Sequence, residues 1–144
     1  MLFKKLNRDG AENVFRTVKN VEGATITTGL AVALAVGVSN DGVQAVIDNA
    51  AEDHPAFIGY ATKDIANNDY GLVQISGFVN SILLSNVGSS LTINAGDPLV
   101  AGPAGAFSAA PTYANSGFKF VQAASNVPAA VSAAAYVSGL IKGI

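Results

Sequence analysis

Cysteine is absent from the 144 residues. That removes disulfide frameworks, thiolate zinc sites and cysteine nucleophiles together. Tryptophan is absent too, and aromatic residues make up 8% of a chain that is 50% hydrophobic, so the apolar content is mainly Ala and Val. Such side chains suit pleated sheets and close backbone approach better than a core of large residues. Charge is scarce at 12%, against roughly 25% in an average globular domain. Long hydrophobic runs are missing as well. The most apolar window, Leu30–Val38, is less than half of the roughly 20 residues that a membrane-spanning helix needs. Near the start, Arg8, Asp9 and Glu12 interrupt the chain before any apolar core of a secretory signal can form. No membrane partner is expected.

Chemistry-bearing residues are equally thin. His54 is the single histidine, within the acidic stretch Asp48–Pro55 beside Glu52 and Asp53. One imidazole and neighbouring carboxylates do not make a metal site, which needs several positioned ligands. The stretch reads as a solvated acidic loop. No G-x-S-x-G elbow, H-E-x-x-H pair or phosphate-binding loop occurs. The reading is therefore a protein that is not an enzyme, with no catalytic residues, no metal and no cofactor.

The charges that do occur are unevenly placed. Residues 1–22 carry Lys4, Lys5, Arg8, Arg16 and Lys19 against Asp9, Glu12 and Glu22. Residues 41–69 carry six acids against Lys63, and residues 70–144 carry only Asp97, Lys119 and Lys142. A net charge of −2 and a sequence pI near 5.1 leave no basis for a nucleic-acid partner. A half-chain this poor in charge either hides surface against another chain or presents neutral Ser, Asn, Thr and Gln to water. The first alternative predicts a homo-oligomer, a trimer foremost, with the second half at its interface. The basic head, Leu2, Phe3, Lys4, Lys5, Leu6 and Arg8 followed by Arg16 and Lys19, is the candidate partner-binding segment.

Organisation follows from punctuation and periodicity. Asp9 as a cap, with Ala11, Val14, Phe15 and Val18 on one helical face, makes Gly10–Lys19 a helix candidate. An extended arm is its rival. The chain thus divides into residues 1–22, a basic arm or short helix, and residues 23–144, a β-rich body. Short apolar runs between turn residues fill the body: 24–28, 30–38, 43–47, 56–62, 70–76, 79–85, 98–101 and 118–123. The alternation of Leu72, Gln74 and Ser76 with Val73 and Ile75 fits a strand with one buried face. The run 128–136 reads as helix by its alanines. An internal echo argues otherwise. Residues 24–32 match 91–99 at an offset of 67 through Thr25/Thr92, Ile26/Ile93 and Gly29/Gly96. Residues 58–79 match 120–141 at an offset of 62 through Ala61/Ala123, Ser76/Ser138 and Gly77/Gly139. The expected fold is all-β, a compact β-barrel or β-sandwich of about 8–11 short strands with an internal pseudo-duplication.

The strings FIGYATKDIANNDYGLVQISGFVNSILL, INAGDPLVAGPAGAFSAAP and AYVSGLIKGI resemble small structural virion proteins of tailed bacteriophages, the capsid decoration or cement proteins. The positions that carry the likeness are Gly59, Ala61, Asp64, Ile65, Tyr70, Gly71, Val73, Gly96, Leu99, Gly105, Val137, Gly139 and Ile141. The resemblance implies a β-rich oligomer on the capsid exterior. There it would bind between major capsid protein subunits and stabilise the icosahedral shell. The alternative is a receptor- or glycan-binding head or tail module.

Overall fold

The computed structural model describes residues 13–36, 41–48, 56–84, 93–109, 121–123 and 135–141. They form nine strands: β1 (Val14–Asn20), β2 (Ala31–Leu34), β3 (Gln44–Ile47), β4 (Phe57–Ala61), β5 (Tyr70–Leu84), β6 (Pro98–Ala101), β7 (Phe107–Ala109), β8 (Val121–Ala123) and β9 (Ala135–Ile141). A 3-10 turn, Pro103–Gly105, precedes β7, and no α-helix occurs among the described residues. The all-β expectation holds.

The strands pair in the order β1-β3-β2-β4-β5-β7-β6-β8-β9, with further pairings β1–β5 and β5–β9. These last two close two five-membered rings that share β5. The first ring is a closed barrel of β1, β3, β2, β4 and the leading half of β5. The second runs through the trailing half of β5, then β7, β6, β8 and β9. Sequence punctuation divides 70–76 from 79–85, but one 15-residue strand runs through both. Gly77 marks the handover. Its φ of 104° lies where side-chain-bearing residues are strained. Val14 pairs with Ser76 on one side of it, and Ile141 pairs with Gly77 itself.

The rings are copies of one another. In the first, Gly29 (φ 97°) donates its N–H to Ala61 C=O (3.0 Å), and Ala61 N–H donates to Leu30 C=O (3.0 Å). In the second, Gly96 (φ 98°) donates to Ala123 C=O (2.8 Å), and Ala123 N–H donates to Asp97 C=O (2.9 Å). The pairs Ala31↔Tyr60 and Val32↔Gly59 recur as Pro98↔Gln122 and Leu99↔Val121. Val32↔Ile47 recurs as Leu99↔Ala109. Even the parallel pairing of β1 with β3 returns, as β5 with β7. The offsets 67 and 62 are therefore structural.

The last strand corrects the alignment. Ala61 pairs with Val73, whereas Ala123 pairs with Gly139. Val73 thus corresponds to Gly139, an offset of 66 rather than 62. The similar strings around Gly77 and Gly139 are not equivalents but neighbours, running antiparallel with Gly77↔Ile141 and Val79↔Gly139.

Each ring surrounds a core. Val18, Ile26, Val32, Ala45, Ile65 and Val73 fill the first, and Val79, Ile82, Leu99, Phe107, Val121, Val137 and Ile141 fill the second. The rings also pack on each other. Phe57 and Phe107 meet edge to face with centroids 6.1 Å apart, and the Tyr60 hydroxyl lies 3.2 Å from that of Ser81. Leu83 N–H donates to Gly29 C=O (3.2 Å). A β-carbon on Gly105 (φ 76°) would collide with Ile47.

The helix candidate Gly10–Lys19 is a strand from Val14 onward. β1 pairs with β5 over Val14–Lys19 and with β3 through Lys19 and Asn20. Among the described residues of its supposed apolar helical face, Val18 is buried and Val14 and Phe15 are exposed; Ala11 lies outside the described residues. The ladder with β5, joined by β3 at Lys19, outweighs local helical periodicity here. The alanine run gives strand at Ala135 and Tyr136, and its residues 128–134 lie outside the described residues.

Candidate functional site

Of the basic head, Leu2, Phe3, Lys4, Lys5, Leu6 and Arg8 lie outside the described residues. Arg16 and Lys19 lie on β1. A helix would bring positions three apart to one face; a strand sends them to opposite faces. Arg16 is exposed and its guanidinium donates to Gly42 C=O, while Lys19 is half-buried and sits beside Gln44 and Tyr70. β1 therefore does not gather its two cations into one patch.

The acidic stretch differs from a solvated loop at its first residue. Asp48 is fully buried and donates its backbone N–H to Ala31 C=O (3.0 Å). Residues 49–55, with Glu52, Asp53 and His54, lie outside the described residues. Among the described residues no group of three or more His, Asp or Glu side chains is arranged to hold a metal ion.

The positions that carry the virion-protein likeness mostly build the scaffold. Ala61, Ile65, Val73, Leu99, Val137 and Ile141 are core residues. A β-carbon on Gly59 would strike the Gln74 carbonyl, and one on Gly71 would strike Ile65. Asp64 is the polar member. One carboxylate oxygen accepts both the Thr28 N–H (2.8 Å) and the Thr28 hydroxyl (2.9 Å). Those two bonds favour the ionised form and hold the exposed Asp64 carboxyl below the usual carboxylate range.

Sequence reasoning missed the surface around the ring junction. Gln74, which alternation sets apart from Val73 and Ile75, is nonetheless 4% exposed, and its side-chain amide donates to the carbonyls of Ser76 (3.2 Å) and Phe78 (3.0 Å). Around it stand exposed apolar side chains. Phe15 pairs with Gln74 across β1 and β5, Leu72 lies two residues away, and Phe78 pairs with Leu140 across β5 and β9. Their exposures run from 38% at Phe78 to 51% at Leu72. Asn13 joins the same place, its Oδ1 accepting the Phe78 N–H (3.1 Å). The corrected register makes Phe15 equivalent to Phe78, and Tyr70 (67% exposed) equivalent to Tyr136 (60%). An alignment of 70–78 with 136–144, which matches Tyr70/Tyr136, Ile75/Ile141 and Gly77/Gly143, was the signal that could have exposed this pattern.

No protein-family model and no curated protein matches this chain. Among solved structures it resembles the crystal structure of the head fiber gp8.5 N base in bacteriophage phi29. The likeness has a TM-score of 0.51 at 17% sequence identity and covers 91% of this chain and 95% of that one. At that identity the two share a fold, and it extends over nearly the whole of both chains.

Proposed function

We propose that this chain is a structural component of a phage particle, without enzymatic activity. It decorates the exterior of an icosahedral capsid and stabilises it by binding between major capsid protein subunits. The observation that carries the reading is the end-to-end fold similarity to the base of a phage head fiber. The scarcity of charge over residues 70–144 supports it, since a clamp needs surfaces and no reactive groups. A clamp that binds only the assembled lattice stabilises it by mass action.

In this reading Leu2, Phe3, Lys4, Lys5, Leu6 and Arg8 make the shell contact, with Arg16 and Lys19 at its root on β1. The lysines and arginines act by screened attraction, over a Debye length of about 10 Å at 0.1 M salt and about 3 Å at 1 M. The interleaved Leu and Phe add a part that salt does not weaken. Deleting residues 1–8 should leave a folded body that co-sediments poorly with undecorated particles, and the intact chain should bind less well at 1 M salt than at 0.1 M. Undiminished binding of the truncated chain would move the contact to the β body. A receptor- or glycan-binding module is the second reading. Exposed Tyr70 and Tyr136 favour it, and it requires that Tyr136→Ala abolish binding to host cells while capsid binding stays intact.

A further inference from the structure

We propose that the outer surface of β1, β5 and β9 around the ring junction is a self-association surface, and that its occupant is a second copy of this chain. The cluster comprises Phe15, Leu72, Phe78 and Leu140, between 38% and 51% exposed. Three contacts place Phe15, Phe78 and Leu140 about one point, with Leu72 two residues from Gln74 along β5. Phe15 and Gln74 are cross-strand partners, the Gln74 amide reaches the Phe78 carbonyl, and Phe78 and Leu140 are cross-strand partners.

Area supports an interface. Aromatic side chains bury about 150–250 Å² each when fully covered and leucine somewhat less, so these four at their exposures offer on the order of 300 Å². A standard interface buries about 800 Å² per partner, of which roughly 56–65% is apolar. The cluster alone supplies more than half of the apolar share of such an interface. It is also comparable to the largest patches found on monomers, which are often functional.

Charge selects the occupant. The 15 residues of β5 and the seven of β9 contain no Lys, Arg, Asp or Glu. On β1 the two cations fall on opposite faces, and the Arg16 guanidinium is held by Gly42. A nucleic acid or an acidic protein would find little to bind here. Two copies of this surface can meet with no like charges at the centre, and like charges there would disfavour a self-contact.

Repetition within the chain points the same way. Phe15 and Phe78 occupy equivalent places in the two rings and are both exposed, whereas the interior equivalents Val73 and Gly139 differ in size. The rings can repack around different interior residues, yet they keep the same outward aromatic. The inference goes beyond the proposed capsid role and needs no shell.

The test is sedimentation equilibrium of the full chain, without particles, over about 1–100 μM. Wild-type protein should associate, and Phe78→Asp and Leu140→Lys should each weaken the association at least tenfold, about 1.4 kcal/mol. Phe15→Ser, at a site 47% exposed, is the milder variant should either charged one fail to fold, with circular dichroism as the check. A folded wild type that stays monomeric throughout overturns the proposal. So does association that persists unchanged in folded variants. A monomeric wild type whose binding to particles is lost in Phe78→Asp also overturns it, and would assign the surface to a shell protein.

Discussion

Asn20 is fully buried at the end of β1. Its Nδ2 donates to Ala24 C=O (2.8 Å) and Ile65 C=O (2.7 Å), and its Oδ1 accepts the Glu22 N–H (2.8 Å). Its backbone accepts Asn68 N–H (2.8 Å) and donates to Asp69 C=O (2.9 Å). One amide thus ties the turn after β1 to the loop before β5. In the second ring the equivalent position is Leu84, which lies 6% exposed in an apolar core. Asn20→Leu is therefore close in size and already accepted by the same architecture. It takes from the part-buried Ala24 C=O and Glu22 N–H their contact with Asn20 and leaves the buried Ile65 C=O with the Ile26 N–H. Three lost hydrogen bonds of about 1 kcal/mol each set the gross cost, since the Ile65 carbonyl is not stranded and the part-buried groups reach water. After about 1 kcal/mol regained from added apolar burial, the net loss is about 2 kcal/mol. With a urea slope of about 2 kcal/mol/M, the midpoint falls by roughly 1 M. Asn20→Asp should be worse at neutral pH, because it turns a carboxylate oxygen toward two carbonyls. Its carboxyl pKa is then raised in the folded state, so stability should recover as pH falls and a proton restores one donor. A Leu variant within about 0.5 kcal/mol of wild type would show that the amide contributes nothing beyond volume.

The other expectations are briefer. Phe107→Ala removes the edge-to-face partner of Phe57 between the two rings and should cost about 3–5 kcal/mol by thermal unfolding; a loss under 1 kcal/mol would mean that the rings do not support each other. Gly77→Ala forces a β-carbon onto a φ of 104° and should cost about 1–3 kcal/mol, with no effect expected from Ser76→Ala by comparison. Asp64 has a folded pKa below its unfolded value of 3.8. Its contribution is present above pH 3.8 and lost as pH falls through the lower, folded pKa. Asp64→Asn should flatten that acid limb of the stability curve, and an unchanged limb would refute the Thr28 contacts as its source.

The sequence made the architecture readable wherever a signal came from the backbone. Gly29 and Gly96 recur because the same turn needs φ near +97° in both rings, and that need survives divergence of the surrounding side chains. The strand runs 56–62 and 98–101 followed from apolar residues between turn residues. The failures share a cause. At Val14–Lys19 the spacing of apolar residues imitates a helix, but the segment lies in an antiparallel ladder with the distant β5, and at Lys19 with β3 too, which local sequence does not reveal. Gly77–Phe78 looks like a break, yet Gly in a strand can equally mark a bend where pairing changes hands. Gln74 looks outward by alternation, but the carbonyls bared at that bend draw its amide inward. The exposed cluster was unreadable for the same reason, since Phe15, Leu72, Phe78 and Leu140 come from three strands that meet only where the rings join.

Fusion through one strand also limits how the two rings can differ. A fully separate barrel can drift in register or lose a strand at its edge. Here β5 must satisfy β1 and β4 along its first half and β7 and β9 along its second. A slip by one residue in either ring would invert the facing of the whole strand in the other. Gly77 relieves that coupling by allowing a local change of direction, and the irregularities at Val14/Phe15 and Val79/Ile82 absorb the rest. Side-chain identity is then free inside each ring so long as volume is filled, which is why Asn20 can stand opposite Leu84 and Val73 opposite Gly139. The outward Phe15/Phe78 and Tyr70/Tyr136 matches have no such packing origin. The self-association proposed above would keep the aromatic at Phe15 and Phe78, since both lie on the surface that a second copy would cover.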